Sequence, residues 1–126
     1  VSEYNVHAAC VQYLEMQYPE ALFYSDLNGI KLPIGLAVKV KRIQHKKHKW
    51  LDLFLPEPRR DYNGLFVEIK ETPEKLYTKN GEMRKSEHIN AQVDTAAELE
   101  RRGYLAVFAG GFDEFKRIVD WYFDGN

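Results

Sequence analysis

Asp52, Glu68 and Lys70 are the residues of this 126-residue chain whose types and spacing point most directly to chemistry. Asp52 interrupts residues 50–55, WLDLFL, an otherwise apolar run. Burying an isolated carboxylate in such a run costs roughly several kcal/mol unless it is paired or bound to a metal. In residues 65–70, LFVEIK, strand alternation turns Leu65, Val67 and Ile69 to one side and Phe66, Glu68 and Lys70 to the other. Residues two apart on a strand are separated by about 6–7 Å along the backbone. If the two segments pair, Asp52 and Glu68 converge, and two hard carboxylate oxygens on rigid strands suit Mg²⁺ or Mn²⁺. Such an ion cancels their repulsion, polarises a phosphate and acidifies a bound water. Lys70 beside it can position that water or stabilise charge on the phosphate. An ion pair between strands is the ordinary alternative. The acid-x-Lys triplet is a weak pattern alone. An acid in an apolar strand, a glycine turn and then apolar-Glu-apolar-Lys is far more specific.

The elements that would hold these residues follow from periodicity and breakers. Residues 3–17 read as a helix capped by Ser2, with Val6, Ala9, Cys10, Tyr13 and Leu14 on one face. Glu3 lies in its first turn, suited to the helix dipole and directed towards the buried side. Residues 21–25 read as a strand, Asn28-Gly29 as a turn and residues 30–32 as a returning strand. Residues 36–43 fit a short helix or a strand. Pro56 and Pro58 end the strand over residues 50–55. Residues 71–85, with Pro, Gly, Asn and many charges, read as a mobile loop. Ser86 caps a helix running to about residue 102, with Gly103 as its stop and Ile89, Val93, Ala96 and Ala97 as its apolar stripe. Residues 104–109 form a buried strand, Gly110-Gly111 a break, and residues 113–123 a closing helix that buries Phe115, Ile118, Val119 and Tyr122. The order is that of an α/β sandwich with a mixed central sheet flanked by helices.

Composition is compatible with this. Hydrophobic residues make up 44% and aromatic residues 13%, enough for a core in one domain over residues 1–126. No apolar run approaches the ~20 residues of a membrane span, so no membrane partner is expected. No basic-then-apolar stretch opens the chain, and no secretory leader is expected in it. The single cysteine, Cys10, lies on the apolar helix face, excludes an internal disulfide and fits a reducing cytoplasm. The net charge of -1 excludes a globally basic nucleic-acid binder. A local patch remains: residues 39–49, KVKRIQHKKHK, hold six Lys or Arg and two His with no acid. Lys41, Arg42, Lys46, Lys47 and Lys49 are the candidate contacts to DNA phosphates, against the ordinary reading of a solvated face. His45 and His48 lack the further ligands of a zinc site. His7 and His88 have no obvious partners.

LDLFLPEPRRDYNGLFVEIKE resembles the core of PD-(D/E)xK nucleases, with Asp52 as the strand aspartate and Glu68-Ile69-Lys70 as the second element. More closely, the chain is similar to the VRR-NUC group, the virus-type replication-repair nuclease domain. Ser2-Glu3, FYSDLNGIKLPIG, GLFVEIKE, SEHINAQVDTAAELERRGYLAVF and GFDEFKRIVDWYF carry this likeness over nearly the whole chain. It implies a restriction-endonuclease-like α/β core and a metal-dependent DNA endonuclease using Mg²⁺ or Mn²⁺. Glu3, Asp52 and Glu68 would be metal ligands, helped by the Ile69 carbonyl. Lys70 would be catalytic, and Gln92 would support the site or contact DNA. Branched DNA of the Holliday-junction kind would be the substrate. The likeness also implies a homodimer, consistent with the aromatic cluster Trp121, Tyr122 and Phe123. Action in the cytoplasm of a bacterium, or of the host if phage-encoded, is expected. One departure stands out: the group has Gly-x-Pro-Asp where this chain has Lys49-Trp50-Leu51-Asp52. That change motivates a competing class, a module that recognises DNA structure without cutting it. A third class is an α/β scaffold whose acid–lysine pairs are structural.

Overall fold

The computed structural model describes residues 2–27 and 30–126. Helix α1 (Glu3–Gln17) starts where expected, because the Ser2 hydroxyl accepts the Asn5 N–H. A two-residue strand β1 (Tyr24–Ser25) follows, then α2 (Ile34–Ile43), β2 (Leu53–Leu55) and β3 (Leu65–Lys70). A short helix α3 (Pro73–Leu76), helix α4 (Glu87–Arg101), strand β4 (Leu105–Gly110) and helix α5 (Phe112–Asp124) complete the chain. The sheet runs in the order β1-β2-β3-β4. Its first two pairings are antiparallel, with Leu53 opposite Val67, and β3 lies parallel to β4, with Glu68 opposite Phe108. The mixed sheet flanked by helices is the architecture expected from the element order.

The alternation in β3 sorts the core into two layers. Leu65, Val67 and Ile69 join Leu53 and Leu55 against Val6, Cys10 and Leu14 of α1 and Phe115, Val119 and Tyr122 of α5. Phe66 lies on the opposite side with Leu76, Ala96, Leu99, Ala106 and Phe108. All six residues of β3 are buried, so this strand is covered on both faces. The α1–α5 pair is locked by Asp120, which accepts from the hydroxyls of Tyr13 and Tyr18, each at 2.6 Å. The parallel β3–β4 pair requires a crossover, which α3 and α4 supply. Gly103 ends α4 at φ 92°, and Gly111 takes φ 92° between β4 and α5, a region that costs glycine nothing sterically.

Several sequence expectations are corrected. Residues 30–32 form no returning strand; β1 pairs with β2 instead, and the Asn28-Gly29 turn lies outside the described residues. Residues 21–23 and 50–52 are not in strands, so β1 and β2 are shorter than their apolar runs suggest. Of the two readings open for residues 36–43 the helical one holds, in α2, none of whose side chains is buried. Residues 71–85 are not loop throughout: α3 is anchored by fully buried Leu76, and a bridge joins Tyr77 to Met83. The buried stripe of α4 is Ile89, Gln92, Thr95, Ala96 and Leu99, while Val93 is exposed. Polar Gln92 and Thr95 disguise that stripe. No helix among the described residues is long and apolar enough to cross a membrane.

Candidate metal centre

The early end of β2 shapes the site. Had the ladder continued past Leu53, residue 51 would have faced Ile69 and supplied a carbonyl to its N–H. Instead the Ile69 N–H donates to Asp52 Oδ2 at 2.8 Å. The Asp52 side chain thus replaces a backbone acceptor, which explains how a carboxylate only 4% exposed is tolerated here. In return the Asp52 N–H donates to Glu68 Oε1 at 3.2 Å. Two buried acids from neighbouring segments are knitted together, Glu68 through the Asp52 backbone and Asp52 through the backbone of Ile69.

Glu3 reaches the same point from the first turn of α1. One carboxylate oxygen from each of Glu3, Asp52 and Glu68 lies within 4.8 Å of the others. On the other side of Glu68, Lys70 Nζ donates to Glu68 Oε2 and to Gln92 Oε1, both at 3.1 Å. Gln92 is 2% exposed and comes from the buried stripe of α4. The arrangement is therefore a cluster of three acids, Glu3, Asp52 and Glu68, with Lys70 bridging Glu68 to Gln92. It draws on α1, the approach to β2, strand β3 and α4.

Lys70 and, more weakly at Glu3, Lys49 oppose the negative charge of this cluster but do not balance it. Burial, and next the charge of Asp52, push the Glu68 carboxyl up to about 8, against the opposing pull of Lys70 and Gln92. Glu3 is raised as well, by its partial burial first and by Asp52 second. An excess of negative charge in a poorly solvated place is what a divalent cation would relieve. The donors are all carboxylate oxygens, a set that fits a hard ion such as Mg²⁺ or Mn²⁺ rather than a thiophilic one.

The other sequence candidates fall in two places. Ile69 sits between Glu68 and Lys70 on β3 and engages Asp52 through its N–H. Most of the basic residues line a separate wall, while Lys49 is near enough to the acids to act on Glu3. Lys41, Lys46, Lys47 and Lys49 line a cleft of about 800 Å³ together with Tyr24, Trp50 and residues of α2. Arg42 lies in the last turn of α2. Lys46 also holds the backbone, since its Nζ donates to the carbonyls of Lys41, Arg42 and Gln44 at 2.6, 2.8 and 3.3 Å and so closes the C-terminus of α2. The His45 ring accepts the N–H groups of Lys47 and His48, each at 3.0 Å, and so serves the turn.

Sequence reasoning missed some neighbours. His7 does have a partner, with Nε2 3.1 Å from Ser25 Oγ. It lies one helical turn after Glu3, a spacing that could have revealed it. His88 also gains neighbours: burial, then Lys49 and Lys70, lower its pKa. Cys10 is a core residue, fully buried, with its thiol pushed up to about 12 by burial and by Asp52. In the C-terminal aromatic cluster Tyr122 is buried and donates to the Glu57 carbonyl, Phe123 stacks on Tyr18, and Arg60 covers one face of Trp121 at 4.0 Å.

No family model matches the sequence, and no curated protein matches it. A solved structure described as a VRR_NUC domain protein does match, with a TM-score of 0.70 at 23% identity, covering 100% of this chain and 91% of that one. Over its whole length, the chain therefore has the fold of a VRR_NUC domain protein.

Proposed function

We propose that the chain is a metal-dependent nuclease that hydrolyses phosphodiester bonds in DNA. The observation that carries this reading is the convergence of three carboxylates from separate elements within 4.8 Å, next to a buried lysine. The shared fold supports it. Glu3, Asp52 and Glu68, with the Ile69 carbonyl, would hold Mg²⁺ or Mn²⁺. When bound, such an ion supplies Lewis acidity and an acidified water. The protein's own groups do the rest. Asp52 and Glu68 are each held by a backbone N–H, which orients their carboxylates. Lys70 is fixed at its Nζ by Glu68 and Gln92, which points a cation at the edge of the acid cluster. There it can orient a water or neutralise charge building on a phosphate. Gln92 sets the direction of Lys70 and keeps it from collapsing wholly onto Glu68. Lys41, Arg42, Lys47 and Lys49 would take the phosphate backbone along the basic cleft.

Branched DNA of the junction type is the proposed substrate. A homodimer acting in the cytoplasm is the proposed state, because two copies can cut two strands symmetrically. Light scattering showing a monomer at all concentrations would remove the dimer.

The main test is a nicking assay on branched and linear duplexes with Mg²⁺ or Mn²⁺. Cleavage should require the ion and disappear in Asp52→Ala, Glu68→Ala and Lys70→Ala, while each variant still binds DNA. Binding without cleavage in the unaltered protein, under every ion tried, would leave a structure-recognising module instead.

A further inference from the structure

A second concavity adjoins the acids, and its chemistry is opposite to that of the basic cleft. It runs along α1, where Glu3, His7, Val11 and Glu15 follow one another at four-residue steps and so share a helix face. Tyr4, Ala8 and Gln12 widen that face, and Asp26, Leu27 and Ile30 form the opposite wall. Glu3 and Asp52 are both among its lining residues, so the groove adjoins the candidate metal centre. Its volume is about 300 Å³, at the small end of sites that take flat organic ligands.

The lining decides the occupant. Glu3, Glu15, Asp26 and Asp52 contribute carboxylates, and no Lys or Arg is among the described lining residues. A phosphate would be repelled. Even with a divalent ion neutralising Glu3 and Asp52, the carboxylate of Glu15 remains. The walls are apolar and partly aromatic: Tyr4 is 62% exposed, Leu27 49% and Ile30 41%. Ionised carboxylates only accept hydrogen bonds. The suitable ligand is thus flat, uncharged and rich in N–H donors. The two clefts meet at Asp26, Leu27 and Ile30, so a strand whose phosphates lie in the basic cleft brings its bases to this groove.

We propose that the α1 groove receives one unpaired nucleobase next to the phosphate at the metal centre, and that it favours amino-bearing bases over thymine. The proposal rests on the nuclease reading for its position and on the groove's own lining for its chemistry. Adenine, cytosine and guanine each offer an exocyclic amine to the carboxylates, and thymine does not. An unpaired base is required because a stacked, paired one cannot leave the duplex without a cost of about a few kcal/mol. A branch point supplies such bases readily.

The test uses fluorescein-labelled branched DNA carrying one abasic residue stepped along each strand. Affinity is read by anisotropy with Ca²⁺, and cleavage with Mn²⁺. At one position the abasic substitution should weaken binding and cleavage by about tenfold, the scale of losing one stacked base. Thymine at that position should fall between adenine and the abasic residue. Ala8→Trp, at an exposed helix position, fills the groove; it should bind intact DNA about as weakly as the unaltered protein binds the abasic form, and show no further abasic effect. Its Mn²⁺-induced rise in Tm should persist, showing that fold and metal centre are intact. Equal affinity at every abasic position, or an Ala8→Trp variant still sensitive to it, overturns the groove assignment. Failure to bind DNA at all overturns it too. If the protein discriminates the abasic position in binding yet cuts nothing, the groove stands and the nuclease reading falls. If it cuts without discrimination, the reverse holds.

Discussion

Asp52 combines two roles that ordinary substitutions confuse. It offers charge to the acid cluster and an acceptor to the Ile69 N–H. Asp52→Ala removes both and leaves a buried N–H unpaired, a cost of about 1–3 kcal/mol. Asp52→Asn keeps an acceptor and deletes the charge that raises Glu68. The asparagine variant should therefore lose cleavage and Mn²⁺ stabilisation while its metal-free Tm stays level or rises. A lower metal-free Tm would mean that the charge, not the hydrogen bond, is what holds Asp52 in place. Glu68 makes a pH prediction. Its folded value of about 8 lies above the ordinary 4.5, so the folded protein holds this proton more tightly than the unfolded chain. Metal-free stability should thus fall as pH rises between those values, and Glu68→Gln should remove that part of the slope in urea unfolding. A cation must displace the proton, so the Tm gained from Mn²⁺ should grow over the same window. A gain that is flat with pH would show that Glu68 is not a ligand. At this scale the site is largely legible in the sequence: an acid in an apolar run and an acid-x-Lys triplet are anomalies that need no coordinates. The pairing of Lys70 with Gln92 does not follow from spacing, since it depends on how α4 rotates against the sheet.

Among the elements, the sequence marks long periodic segments well and short ones badly. α1, β3, α4 and α5 carry caps or alternation strong enough to be read directly. β2 is shorter than its apolar run because Leu51 serves burial without strand pairing, just outside β2. α3 escapes notice because a single side chain, Leu76, anchors it amid charged neighbours. The basic segment shows why a residue type does not define a role. Lys46 closes α2 through three carbonyls, whereas Lys47 and Lys49 line the cleft. Lys46→Ala should speed amide exchange in the last turn of α2, costing about 0.3–1 kcal/mol locally. Lys47→Ala and Lys49→Ala should leave exchange unaltered and each reduce the salt slope of DNA binding by about 0.9. An unchanged slope would return these two lysines to the solvated surface.

For the molecule as a whole, stability is concentrated in the two layers around β3, and α2 contributes no buried side chain to either. A ten-residue helix is too short to persist by itself, about 12–15 residues being marginal even for good formers. The stretch from residue 34 to residue 49, rich in lysine and arginine, is therefore the natural place for trypsin to nick the native protein. α1 would then belong to a separate peptide, yet Val6, Cys10 and Leu14 would still fasten it to the rest. Limited digestion should yield two fragments that co-elute under native conditions and part only in denaturant; DNA in the basic cleft should slow the nick. Digestion starting at α4 or α5 instead would refute this. A chain so divided can be assembled from two separately made halves, with Glu3 delivered on one piece and Asp52 and Glu68 on the other, so that metal uptake would report their reunion.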